Sequence, residues 1–422
     1  MMVCGRDGAG KGIIGTAAVA VLFALAACSS DNAKSTTGPS TTETVAVTGK
    51  VKHVFVVVLE NKTFSTTFGG SSPVPYLTQT LASQGAELSG YYGTGHVSLD
   101  NYISMLSGQA GTPQTITDCA TYADFQAAGG TAENGQILGT GCVYPASVLT
   151  LADQLTSAKL TWKGYMGNMG FDPSRESATC GHPALNSADL TQVAEAPSAS
   201  VPTGDDYATR HDPFMYFHSI IDSPICQTNV VNLENNLQND LASISTTANF
   251  TFITPSLCDD GHDNPCANGQ PGGYPAINAF LTKWIPIITA SPAYQQDGLL
   301  IINFDESNYS ASVSGGVETL TFPGYFCCNE QLGPNLKPYP QADTITLSGA
   351  SSIVINYQNY GGDQVGAILL SPFIKAGTVS STPYNHYSML RTIEDIFGLA
   401  HLGNAQTDGL VPLGTDVFTN VN

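Results

Sequence analysis

The sequence predicts an α/β fold, with a mostly parallel central sheet flanked by helices on both faces and carrying long loop insertions. Three observations predict it. Residues 51–59 are an unbroken apolar run rich in β-branched side chains, apart from Lys52 and His53, the pattern of a strand buried on both faces as parallel strands are. Similar runs recur at 250–253, 299–304 and 365–370. Helical patterns alternate with them at 76–84, from Leu99 onward, and at 147–158, 233–242, 276–290 and 387–399. Strands alternating with helices give parallel sheets with covered faces. Residues 109–230 and 307–362 are rich in Gly, Ser, Thr and Pro with weak periodicity, and read as elaborations of one domain spanning 51–422.

Composition narrows the function classes. Of 422 residues, 14 are Lys or Arg and 34 are Asp or Glu, giving a formal charge of −20. Such an acidic chain repels phosphate backbones, which excludes nucleic acid as a partner. Hydrophobic residues make up 42% of the chain, enough for a sizeable core, which excludes wholesale disorder.

Arg6 and Lys11 precede an apolar run at 13–26 that is short for a membrane span. The run ends in Leu25-Ala26-Ala27-Cys28, similar to a bacterial lipobox. Residues 1–27 therefore read as a lipoprotein-type signal peptide, with Cys28 acylated, and an ordinary signal cleaved nearby is the alternative. Residues 28–50 lack apolar periodicity and read as a flexible tether. The expected location is the outer side of a bacterial membrane, held by lipid at Cys28, or secretion. Eight further cysteines, an even number, suit disulfides in an oxidising compartment. Cys119–Cys142 and Cys258–Cys266 are plausible short-range pairs. Adjacent Cys327 and Cys328 either bridge each other or take separate partners, and zinc is disfavoured because no CxxC spacing is present.

Ligands of open parallel sheets collect at the carboxyl ends of strands, and three polar segments are expected at that edge. Glu60-Asn61 follows the first strand and offers hard oxygen ligands for a divalent cation, or else a helix cap or solvated turn. Ser98, with Asn101 one turn later, opens a helix expected to stop at Gly108. A serine there either caps the helix or uses the positive helix terminus to stabilise an alkoxide and an attacked anion. Asp305-Glu306 follows another apolar strand, and paired carboxylates in such a place are costly without a cation or proton between them. A hydroxyl, an anion site and up to four oxygen ligands on one edge are what metal-assisted attack on phosphorus requires.

These residues carry a resemblance to the bacterial acid phosphatase and phospholipase C phosphoesterases of the alkaline phosphatase superfamily. The matching segments are Val57-Val58-Leu59-Glu60-Asn61-Lys62-Thr63-Phe64, His96-Val97-Ser98-Leu99-Asp100-Asn101-Tyr102 and Arg210-His211-Asp212-Pro213-Phe214. Further along come Thr254-Pro255-Ser256-Leu257-Cys258-Asp259-Asp260-Gly261-His262-Asp263, Asn303-Phe304-Asp305-Glu306 and Tyr384-Asn385-His386-Tyr387-Ser388, the last continuing through 394–399. Together they span roughly residues 52–400, in the family's order. The resemblance implies an alkaline-phosphatase-like fold and one divalent metal ion of unknown identity held by Glu60, Asn61, Ser98, Asp305 and Glu306. It implies Ser98 as nucleophile and Asn101 on the phosphoryl oxygens. His211 and His262 would face the phosphate or leaving group, with Asp260 as the acid beside His262. Lys163, in a segment that also resembles the family, is a candidate anion binder or a solvated lysine. His386 matches a family histidine, but Asn385 precedes it where Asp is often found, which weakens a second metal site. Asp100 stands where Pro is often found, a carboxylate beside the incoming phosphate. His96 is open between structural and chemical roles, and His53, His182, His218 and His401 read as structural or surface residues.

The expected function is a metal-dependent phosphomonoesterase with an acidic optimum. Two rivals follow. A phospholipase C-type diesterase acting on phospholipids or phosphoinositides would need an apolar, aromatic rim, to which Tyr91, Tyr92, Phe214, Tyr216 and Phe217 are candidates. A lipid-anchored protein that binds phosphorylated ligands without turnover is the other.

Overall fold

A computed structural model describes residues 47–346 and 352–421. The expected signal peptide, Cys28 and the tether up to residue 46 lie outside the described residues. Val47, inside the stretch expected as tether, is buried in the core.

The main sheet has eight strands. In chain order they are β1 (His53–Leu59), β2 (Ala86–Leu88), β3 (Trp162–Met166), β4 (Val230–Asn232), β5 (Phe250–Thr254) and β6 (Gly298–Phe304), then β11 (Ala367–Leu370) and β12 (Thr378–Ser380). Between β6 and β11, strands β7 (Ser310–Ser314), β8 (Val317–Phe322), β9 (Gln341–Thr346) and β10 (Ser352–Tyr357) form a separate four-stranded sheet. Across the main sheet the order is β12-β2-β11-β6-β1-β5-β3-β4, and only β11 runs antiparallel to its neighbours.

Every residue of β1, β5 and β6 is buried, so both faces of the sheet's centre are covered, and continuous rather than alternating apolar sequence is what such strands require. The helices that cover it follow the expected patterns: α1 (Leu99–Ser107), α2 (Leu151–Ser157), α3 (Leu233–Asp240), α4 (Tyr274–Thr289) and α5 (His386–Phe397). Helix α1 stops at Gly108, whose φ of +67° suits a residue without a Cβ. Helix α2 starts later than the pattern at 147–158 suggests, because Thr150 and Asp153 form a reciprocal capping box there. No helix among the described residues is long and apolar enough to cross a membrane.

Two readings change. Residues 307–362 are not simply a loop, since they hold the four-stranded sheet, on which Phe322, Ile355 and Tyr357 bury a small core of their own. The stretch 109–230 contributes β3 and β4 to the main sheet. Lys163 and Gly164 interrupt the apolar run of β3, and β4 is three residues long, so neither gives a strong period-2 signal.

The eight cysteines form four disulfides: Cys119–Cys142, Cys258–Cys266 and the vicinal Cys327–Cys328, as the spacing allowed, together with Cys180–Cys226. The last closes the longest loop, with a sequence separation of 46, and ties the loop after β3 to the segment leading into β4. Replacing both residues by Ala should lower unfolding free energy by up to about 4 kcal/mol through restored unfolded-state entropy. Urea titration of the purified double variant checks this, and an unchanged midpoint would show the cross-link is energetically idle.

Candidate active site

The site is assembled by strand register. Leu59 of β1 pairs with Phe304 of β6, so Glu60 and Asp305 leave the sheet side by side, both fully buried. Asn61 turns with φ +55°, which lets its N–H donate to Asp305 Oδ1 at 3.0 Å. The Lys62 ammonium donates to the carbonyls of Glu60, at 3.0 Å, and Gly261, at 2.9 Å, fastening the end of β1 to the loop after β5.

Ser98 sits where α1 begins, but its side chain does not cap the helix. Its hydroxyl instead donates to Glu60 Oε2 at 2.9 Å. Two carboxylates hold the backbone around it: Leu99 N–H donates to Asp118 Oδ1 at 3.0 Å, and the N–H groups of Val97 and Ser98 donate to Glu306 Oε1 at 3.0 and 3.2 Å. Val97 has φ +71°, a left-handed conformation that costs a β-branched residue about 1–3 kcal/mol and is held only where surroundings enforce it. The Asn101 side-chain oxygen accepts the N–H groups of Thr94 and Gly95, at 2.8 and 3.0 Å, and closes the loop before the serine.

On the far side of Glu60, its Oε1 accepts the Tyr102 hydroxyl and lies 3.5 Å from His211 Nε2. His211 Nδ1 is 3.1 Å from Asp260 Oδ2, and its ring stacks on Tyr102. Donor atoms of Glu60, His211 and Asp260 lie within 4.8 Å of one another, all buried. Asp305 Oδ2 and His211 Nε2 are buried with no hydrogen-bond partner. Buried orphaned donors among carboxylates are what a divalent cation satisfies, and the set of oxygens with one imidazole fits such an ion.

Titration follows the same logic. Burial, then the charges of Asp305 and Asp260, push Glu60 well above the usual carboxylate range, and burial does the same to Asp260. Burial raises Asp305 to about 6 and Glu306 to about 7. Burial, with Arg210 and His262 adding to it, holds His211 well below an ordinary histidine.

The structure thus brings Glu60, Ser98, Asp305, His211 and Asp260 together, and rearranges several expected roles. Glu306 turns away from the cation cluster, because its two oxygens are occupied by His96 and by the amides of the serine loop. His211 lies deep among the carboxylates as an unprotonated donor, which suits a ligand rather than a proton-giving acid. Asn101 spends its amide on the loop backbone, also donating to Gly95 O at 3.0 Å, rather than presenting it to phosphoryl oxygens. Lys163 lies elsewhere, paired with Asp240 at 2.6 Å. His386 is buried between the Tyr91 hydroxyl and the Asp305 carbonyl, at 3.0 and 2.6 Å, and burial lowers it to about 4, so a neutral ring orients the Asp305 peptide. Asp100 is buried against Gly95, and burial keeps its carboxyl well above the usual range.

His262 is less buried than His211, its side chain a third exposed, and lies between Asp263 at 2.8 Å and Arg210 at 3.2 Å. Arg210 is a residue sequence reasoning missed. Its guanidinium is buried, paired with Asp118 at 3.2 Å, and its neighbour His211 in a 3-10 turn was the available signal. Tyr102, Lys62, Asp118 and Asp363 were missed as well. Tyr91, Phe214, Tyr216 and Phe217 are core residues and build no aromatic rim.

A probable acid phosphatase from Kluyveromyces lactis is 22% identical over 94% of this chain and 71% of its own length. An acid phosphatase from Aspergillus fumigatus is 24% identical over 55% of this chain, which spans 41% of that relative. Among solved structures, an alkaline phosphatase superfamily protein from Vibrio parahaemolyticus gives a TM-score of 0.43 at 12% identity, covering 86% of this chain and 72% of that one. A phosphonate monoester hydrolase from Silicibacter pomeroyi gives 0.43 at 13%, covering 87% and 77%. The family model of the phosphoesterases matches residues 72–400, and the chain belongs to that family, whose members are phosphoric ester hydrolases.

Proposed function

We propose that this protein is a metal-dependent acid phosphatase that hydrolyses phosphate monoesters through a phosphoserine intermediate on Ser98. The observation that carries the reading is the Ser98 hydroxyl, which is released from capping its own helix and bonded to a buried glutamate. A divalent cation held by Glu60, Asp305, His211 and Asp260 would lower the hydroxyl's pKa and neutralise phosphoryl oxygens.

The chain's own groups account for the remaining steps. Glu60 accepts the hydroxyl proton as Oγ forms its bond to phosphorus and the bond to the leaving oxygen breaks. His262, its side chain a third exposed, gives a proton to the departing alcohol once its Nε2 leaves Arg210, and water then splits the phosphoserine to inorganic phosphate. An acidic optimum is in keeping with the names of the two relatives. A monoester suits the site because Tyr91, Phe214, Tyr216 and Phe217, four of the five candidate aromatics for a diacylglycerol or choline rim, are buried. Four disulfides support export to an oxidising compartment, and with it a place in the cell envelope or outside the cell.

Ser98→Ala should lower kcat for p-nitrophenyl phosphate on the order of 10³-fold or more, with no phosphoserine trapped by acid quench. Equal rates in variant and wild type would remove Ser98 from the mechanism. His262→Gln should cost about 10²–10⁴-fold with an alkyl phosphate and far less with p-nitrophenyl phosphate, whose leaving group needs no proton. Equal losses on both substrates would take the acid role from His262.

Chelation should abolish activity, and a divalent cation should restore it. The chelated protein should also melt lower as pH rises. Its carboxyls bind protons more tightly folded than unfolded, so their contribution is present below about pH 4 and lost as pH climbs through about 6 for Asp305 and 7 for Glu306. Scanning calorimetry from pH 4 to 8 checks the slope, and added cation should flatten it.

A further inference from the structure

We propose that His96 and Asp363 are positioning residues which, through Glu306, hold the Val97–Ser98 peptide in its reactive conformation, and that the four-stranded sheet seats this clamp. The inference rests on Ser98 being the nucleophile.

His96 is buried and bonded through both ring nitrogens to carboxylates. Nδ1 meets Glu306 Oε2, and Nε2 lies 3.0 Å from Asp363 Oδ2. With both nitrogens engaged and almost no exposure, the imidazole cannot touch substrate, so it acts through Glu306. The second oxygen of Glu306 accepts the N–H groups of Val97 and Ser98. Asp363 is itself fixed, since its carboxylate accepts from the Ser307 hydroxyl at 2.9 Å and from the Tyr325 N–H. Its carbonyl accepts the Gly93 N–H at 3.0 Å, so one residue grips the serine loop at its start and, through His96 and Glu306, at its end.

The sheet supplies the floor. Phe322, the last residue of β8, packs its ring 4.4 Å from that of His96, and the small core of Phe322, Ile355 and Tyr357 takes in the Val97 side chain. The loop carrying Asp363 lies so close that a Cβ on Gly362 would fall 2.5 Å from Gly95 O. Val97 is the strained residue of the loop. Packing from below and two amide bonds to Glu306 from the side are the restraints that hold such a conformation.

The test uses the full exported chain carrying His96→Gln, Asp363→Asn or both, with Ser98→Ala as reference and p-nitrophenyl phosphate as substrate. Each single variant should lower kcat about 10–100-fold, the range for residues that orient a site's contacting groups. KM should stay within about threefold, since no substrate contact is lost. Single-turnover formation of phosphoserine should slow by the same factor as kcat, and melting temperature should move little. The double variant should be no slower than the slower single one, because both break one chain of bonds. Either single variant, if only one folds, still gives the comparison of kcat with KM.

Unchanged kcat in a folded single variant, with Ser98→Ala inactive, would overturn the clamp while leaving the nucleophile in place. A raised KM at intact kcat, or losses that multiply in the double variant, would also overturn it. Full activity in Ser98→Ala would instead remove the premise.

Discussion

A hydroxyl held by a distant carboxylate, rather than by the helix it opens, is the contact around which this site is organised. Serine before a helix ordinarily spends its oxygen on the first turn's amides. Here Ser98 caps no amide of its helix and bonds Glu60 instead, while Glu306 and Asp118 hold the N–H groups of residues 97–99 around it. The arrangement has a structural price in the left-handed Val97, and it gives the oxygen a direction. Nothing local to residues 96–102 enforces that arrangement, since Glu60, Asp118 and Glu306 all come from elsewhere in the chain.

The same contact requires burying charge. Glu60, Asp260 and Asp305 crowd one fully buried spot, where like charges disfavour ionisation. Lys62 is the buried cation nearest by hydrogen bonding, but its donors go to main-chain carbonyls, so it fastens segments more than it neutralises carboxylates. Arg210 is committed to Asp118. The cluster is left with donor atoms that no protein group satisfies, and this is the physical ground for a bound cation.

Most of the architecture was legible because its strands are long and uniformly apolar: β1, β5 and β6 announce themselves by burial on both faces. Strands of three residues such as β2, β4 and β12 carry too little pattern, and β7, the first strand of the four-stranded sheet, is Ser-rich and exposed along its whole length. Glu60, Ser98 and Asp305 were readable because each marks the end of a clear element. Roles were harder. Glu306 adjoins Asp305 in sequence, yet successive residues leaving a strand point apart, and its oxygens meet the serine loop instead. His211 and Asn101 carry suitable chemistry, but only tertiary contacts reveal that one is enclosed by carboxylates and the other absorbed by a turn. Asp363 has no motif around it, and its partners come from three separate segments of the chain, the serine loop, Ser307 and Tyr325.

The parallel ladder that sets Glu60 beside Asp305 joins residues separated by most of the chain; the Asn61 N–H that meets Asp305 does so across 244 positions. Such long-range closures come late and slowly when a polypeptide folds. A chain that has emerged only as far as β5 carries Glu60, Ser98 and His211 but not Asp305. The carboxylate cluster is whole only when β6 pairs with β1.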